Sequence, residues 1–163
     1  MSEGIGARVL RKEDKRFITG KGRYTDDIVE DNQAYAAFVR SPHAHARIVS
    51  INTTAAMEMD GVETVLMGPE LVADGIGNII CGWGVTSKDG SPMNMGAWSA
   101  LATEKVRYVG DAVAIVVADT KSLAKLAAES VVVTYEELPV VVGSVQALEK
   151  GAPQLHDNAP GNL

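Results

Sequence analysis

The sequence predicts an α+β domain in which a mixed β-sheet is spanned by two short helical crossovers, and three observations carry that expectation. Residues 112–118 (Ala-Val-Ala-Ile-Val-Val-Ala) form an unbroken apolar run between Gly110-Asp111 and Asp119, the mark of a strand covered on both faces. Directly after it, Asp119-Thr120 supplies capping oxygens for a helix over 121–130, and a second β-prone run, 131–135, follows. Residues 48–67 repeat the order faintly: strand, Thr-capped helix, strand. A chain of 163 residues bounds the answer to one ordinary domain, and 46% apolar with 22% charged residues excludes disordered and collagen-like chains.

Residues 1–30 read as an extended basic arm with turns, punctuated by Gly20, Gly22 and Asp26-Asp27 and anchored by Phe17, Ile18 and Tyr24. The domain proper is expected over 31–150. Its first strand is Ala-Tyr-Ala-Ala-Phe-Val-Arg (34–40), which Ser41-Pro42 ends because proline removes a ladder donor. Residues 46–51 alternate as a strand, and Asn52-Thr53-Thr54 opens a short helix that runs to Met59 and stops at Asp60-Gly61. A strand over 62–67 leads into Gly68-Pro69-Glu70, where proline starts a helical turn without losing a needed donor. Residues 75–98 show no periodicity and are rich in glycine, a long loop of the kind that is functional or covered by a partner. Residues 105–109 are the next strand, ahead of the 112–118 run. In the 121–130 helix, Leu123, Leu126 and Ala127 mark the buried face and Lys121, Lys125 and Glu129 the wet one. A strand, helix, strand unit this short predicts a right-handed crossover onto one sheet. Residues 140–142 are a candidate edge strand. Residues 151–163, with Pro153, Asn158, Pro160 and Gly161, have linker composition.

Charge and motifs exclude several functions. Residues 8–23 hold seven basic side chains (Arg8, Arg11, Lys12, Lys15, Arg16, Lys21, Arg23) against Glu13 and Asp14, which is +5 and leaves the remainder at −11. That acidity repels a phosphate backbone and the arm lacks interleaved aromatics, so nucleic acid is not an expected partner; an acidic protein surface is. The longest aliphatic run is far short of the roughly 20 residues a bilayer requires, so no membrane span is expected. With no basic and apolar leader at the N-terminus, the expected location is cytoplasmic. Cys81 alone makes neither a disulfide nor a zinc site.

No complete catalytic set emerges from the residues. Gly20-Lys21-Gly22 lacks the spacing and the following Ser or Thr of a phosphate loop, and Gly75-Ile76-Gly77 lacks the third glycine of a dinucleotide turn. His43 and His45 would share one side of a strand, as in some metal sites, but want a third ligand; structural hydrogen bonding is the expectation. Glu136-Glu137 are adjacent on a strand and face opposite ways, which argues against an acid/base pair. A nucleophilic Cys81 beside Trp83 would need a cation to lower its pKa, and none can be placed there; an incidental thiol is expected. Ser41 and Ser99 lie in no Gly-x-Ser-x-Gly elbow. A freestanding small-ligand binding module using the 75–98 loop, with Trp83 and Trp98, is the alternative function.

Three segments together resemble a known family: Arg8-Val9-Leu10-Arg11-Lys12-Glu13-Asp14 with Arg16-Phe17 and Gly20-Lys21-Gly22-Arg23-Tyr24-Thr25-Asp26-Asp27; Arg40-Ser41-Pro42-His43-Ala44-His45-Ala46-Arg47-Ile48; and Tyr135-Glu136-Glu137-Leu138-Pro139. In order and spacing they are similar to the N-terminal α/β hammerhead domain of the molybdopterin-binding large subunit of the xanthine dehydrogenase and aldehyde oxidase family, in particular its aerobic carbon monoxide dehydrogenase-like branch. Gly110-Asp111-Ala112 departs from the Gly-Gln-Pro of many relatives, which bears on the branch and not on the fold. The resemblance implies a non-catalytic part of a molybdenum hydroxylase or dehydrogenase. Catalytic, cofactor-binding and metal residues are then expected in later domains and none in this chain. It also implies molybdopterin in the parent enzyme, with [2Fe-2S] clusters and FAD on partner subunits or domains. The partners it implies are the remainder of the large subunit, an FAD subunit and an iron–sulfur subunit, and 151–163 becomes a linker toward the molybdenum-binding domains.

Overall fold

The computed structural model describes residues 4–6 and 9–163, so Arg8 of the basic arm lies outside the described residues. Two units emerge, Met1–Gln33 and Ala34–Leu163. In the first, the expected extended arm contains a short helix, α1 (Asp14–Ile18). Arg11 pairs with Asp14 at 3.0 Å at its start, where a carboxylate suits the helix dipole. Gly20, at φ 69°, ends it, and the Lys21 amide donates to the Arg16 carbonyl across the turn at 2.9 Å. These bonds lie within a few residues of each other, so arginine, aspartate and glycine offered a helical signal that the glycine-rich composition masked. The Phe17 ring then meets Tyr24 at 5.3 Å, and the Tyr24 amide donates to Asp27 at 2.8 Å to close a single 3-10 turn over Thr25–Asp27.

The second unit holds six strands: β1 (Tyr35–Arg40), β2 (Ala46–Asn52), β3 (Val62–Met67), β4 (Lys105–Val106), β5 (Ala112–Ala118) and β6 (Val132–Glu137). Its helices are α2 (Thr54–Met57), α3 (Gly68–Ala73), α4 (Lys121–Ser130) and α5 (Ser144–Ala147). The α+β class and the two short helical connections are as expected, but the strands form two antiparallel sheets, β1-β5-β3 and β4-β2-β6, in place of one mixed sheet. The crossover through α4 therefore leaves the first sheet for the second. Both edges of β5 are already taken by β1 and β3, so β6 finds its partner in β2. The faint duplication becomes a strand exchange. β2-α2-β3 runs from the second sheet to the first, β5-α4-β6 runs back, and the two units pair strand for strand. Each sheet thus draws strands from both sides of the 74–104 stretch.

β5 is the centre of the fold. Val113, Ala114, Val116 and Ala118 are fully buried, in keeping with its unbroken apolar run. Ala114 and Val116 join Val65, Ala56, Ala127 and Val131 in one cluster, and Val113 joins Ala46, Ala102 and Val106 in another; Val39, Ile51 and Val133 pack against both. Thr120 caps α4 by accepting the Leu123 amide at 3.1 Å. Its buried stripe is Ala124 and Ala127, while Leu126, expected inside, is 57% exposed. Alanines let the helix approach β5 and β1 closely, and at about 100° per residue Leu126 falls to the side of that narrow stripe.

Other elements depart at their ends. β4 stops at Val106 instead of reaching 109, because the Arg107 amide turns to Asp111 (3.0 Å) and Gly110 takes φ 93°. Residues 140–142 form no edge strand, since the ladder ends where the Leu138 amide donates to the His45 carbonyl. α5 follows unforeseen. Residues 151–163 fold back onto the unit, held by Asn162, whose Nδ2 donates to the carbonyls of Ala147 and Pro153 and whose Oδ1 accepts the Leu155 amide, each at 2.9 Å. Among the described residues, no helix is long and apolar enough to cross a membrane.

Candidate functional site

The residues weighed in the sequence are scattered. His43 and His45 precede β2 in a bend and are not on a strand. The His43 ring packs on Tyr135 (4.8 Å) and its Nδ1 faces Glu137 at 3.5 Å; His45 is buried, with Nδ1 2.8 Å from the Pro139 carbonyl oxygen and Nε2 without a partner. Glu136 pairs with Arg47 at 3.3 Å, so the adjacent glutamates face two different partners. Ser41 is buried and closes its own turn, its Oγ accepting the His43 amide and donating to the His43 carbonyl. Cys81 is exposed, 3.4 Å from the Trp83 carbonyl oxygen. No group of three or more His, Cys, Asp or Glu that could hold a metal occurs among the described residues.

What the fold does assemble is a cavity of about 140 Å³ beside β4. Ala97, Trp98 and Ser99 form one wall, Arg107, Tyr108 and Asp111 of the turn after β4 form another, and Ala102 and His156 close it. Trp98 and Tyr108 meet edge-on, centroids 6.5 Å apart, yet remain 60% and 45% exposed. The rim is fixed by polar bonds. Arg107 Nε donates to the Leu155 carbonyl at 2.8 Å, Lys105 reaches both oxygens of Asp157 at 2.9 and 3.0 Å, and Asn94 Nδ2 donates to the Asn158 (2.6 Å) and Leu163 (3.3 Å) carbonyls. Trp83, 79% exposed, is outside the lining, so the binding module weighed from the sequence keeps one of its two tryptophans.

Titration of the walls follows from this setting. Burial, and then the positive charge of Arg107, hold His156 below its ordinary pKa. Burial followed by the charge of Asp111 raises Tyr108. The hydrogen bond from Lys105, with its charge, lowers Asp157. At neutral pH the cavity thus presents a neutral imidazole and a neutral phenol, with Arg107 and Asp111 in the same lining. Arg107, Tyr108 and His156 were not singled out in the sequence: they obey no spacing motif, and only the pairing of Trp98 with a second aromatic in a loop-rich region hinted at them.

The cavity does not fit the cofactors of the resembling family. A pterin cofactor needs a pocket at least about twice as large, of about 300 Å³ or more, and a cradle for its phosphate, whereas neither Gly20-Lys21-Gly22 nor Gly75-Ile76-Gly77 has the spacing of such a turn. An iron–sulfur cluster needs four thiolates in the ordinary case, and the chain has one cysteine.

Two small antiparallel sheets joined through short helices frame the cavity. The profile of the aldehyde oxidase and xanthine dehydrogenase a/b hammerhead domain matches residues 19–139, and the chain belongs to this family. It is 40% identical over 159 residues to the carbon monoxide dehydrogenase large chain of Hydrogenophaga pseudoflava, covering 97% of this chain and 18% of that one. It is 39% identical over 159 residues to the nicotine 6-hydroxylase large subunit of Paenarthrobacter nicotinovorans, covering 98% and 19%. The solved quinoline 2-oxidoreductase of Pseudomonas putida 86 superposes with a TM-score of 0.79 at 39% identity, over 94% of this chain and 19% of that one. The chain therefore spans about a fifth of the length of these relatives.

Proposed function

We propose that the chain is the non-catalytic hammerhead portion of the large subunit of a molybdenum hydroxylase or dehydrogenase, and that it packs against the molybdenum domain and neighbouring subunits. One observation carries this reading: the 75–98 loop holds Ile76, Ile79, Ile80, Trp83, Val85, Met95 and Trp98 at 51–89% exposure. Apolar side chains concentrated in this way mark a surface that a partner covers. On this reading molybdopterin sits in the remainder of the large subunit, and [2Fe-2S] clusters and FAD sit on partner subunits or domains. Residues 1–30 act as a basic arm for an acidic partner surface, 31–150 are the hammerhead, and 151–163 lead toward the molybdenum-bearing part of a cytoplasmic enzyme.

Mixing the purified chain with a separately produced remainder of the large subunit is expected to yield a stable complex on size exclusion, while the chain alone oxidises none of the carbon monoxide, purine, aldehyde and N-heterocycle substrates offered. A chain that stays monomeric in that mixture, or that turns over substrate unaided, sinks the reading.

A further inference from the structure

The Trp98–Tyr108 cavity is as unexplained by catalysis as it is by cofactor binding, and its size is informative. At about 140 Å³ it matches the roughly 150 Å³ that holds one benzene ring. We infer that it is an anchor pocket that receives a single aromatic side chain from the remainder of the large subunit. This inference rests on the assembly reading above. Two large aromatic rings set edge-on offer a third ring both an edge and a face, and the Arg107 guanidinium in the same wall adds attraction for a π face. Trp98 and Tyr108 leave about half their surface to water, which is the surplus that an anchor residue buries at the centre of an interface. The location agrees with this occupant. Residues 155–163, assigned above to the connection toward the molybdenum-bearing domains, are pinned on the rim by Arg107, Lys105 and Asn94, so that polypeptide is held beside the pocket. Trp98 is also continuous with the exposed apolar loop that the reading places under a partner.

The test uses the complex of the chain with the remainder of the large subunit. Ala97→Phe puts a ring into the cavity from an exposed loop position, and Ser122→Phe adds the same ring on the outer face of α4. Ala97→Phe is expected to weaken the complex at least tenfold with melting unchanged, Ser122→Phe to leave affinity within about twofold, and p-cresol at millimolar concentration to compete with assembly of the unmodified chain. Hydroxyl-radical footprinting of the unmodified chain supplies a measurement independent of any variant: oxidation of Trp98 and Tyr108 should fall severalfold on assembly. A complex that forms with Trp98 and Tyr108 as reactive as before, or with undiminished affinity for Ala97→Phe, overturns the anchor pocket and leaves the assembly reading standing. Failure of the unmodified chain to form a complex overturns both.

Discussion

His156 shows how a single side chain ties the tail of the chain to pH. Burial and Arg107 hold its folded pKa below the unfolded value of about 6.5, so the unfolded chain binds the proton more readily. The contribution of the neutral imidazole is therefore complete above that value and is lost as pH falls through it toward the folded pKa. Urea midpoints at pH 8, 7, 6 and 5 should decline below pH 7 in the unmodified chain and decline less in His156→Gln; parallel curves would show that the environment of His156 is immaterial. Asp157 is likewise lowered, by the hydrogen bond and charge of Lys105, and its contribution disappears only at more acidic pH, below the ordinary carboxylate value, so the two windows separate. None of this was legible in the sequence. His156 and Arg107 are 49 positions apart, and the docking of the tail through Arg107, Lys105, Asn94 and Asn162 brings them together. A proline- and glycine-containing stretch shows linker composition, and the long-range hydrogen bonds that dock it leave no mark in the sequence.

At the level of the element, α4 separates what periodicity reveals from what it does not. Its start was plain from Asp119-Thr120 and its existence from the apolar spacing, but the choice of which apolar residues go inside depends on how closely the helix approaches the sheet. Alanine permits a closer approach than leucine, and Ala124 and Ala127 won over Leu126. Leu126→Ala should accordingly change stability by less than about 0.5 kcal/mol, whereas Ala127→Leu, forcing a larger side chain into a fully buried position, should cost about 1–3 kcal/mol, both read from urea unfolding. Equal effects would return Leu126 to the core. The strands tell the same story: β1, β3 and β5 declared themselves by β-prone runs ended by Pro42, Gly68 or Asp119, while β4 was overextended because the Arg107–Asp111 turn is closed by a side chain and not by a Gly-Pro signal.

For the whole molecule, the family was legible because its segments are contiguous in sequence, and the sheet arrangement was not because it is a matter of which strand meets which. A local reading of strand, helix, strand favours a return to the same sheet. Here β5 had no free edge to offer, and the second sheet gained β6. The cavity, too, is a product of three stretches that lie apart along the chain.

The strand exchange has a mechanical consequence. A protease cut within residues 83–92, on the exposed loop, would sever the backbone without removing any named strand, and neither piece would own a complete sheet: the first would hold β1, β2 and β3, the second β4, β5 and β6. The two fragments should co-elute as one noncovalent particle with an unaltered circular dichroism spectrum, and should come apart only when unfolded, as two hooks do when they are straightened.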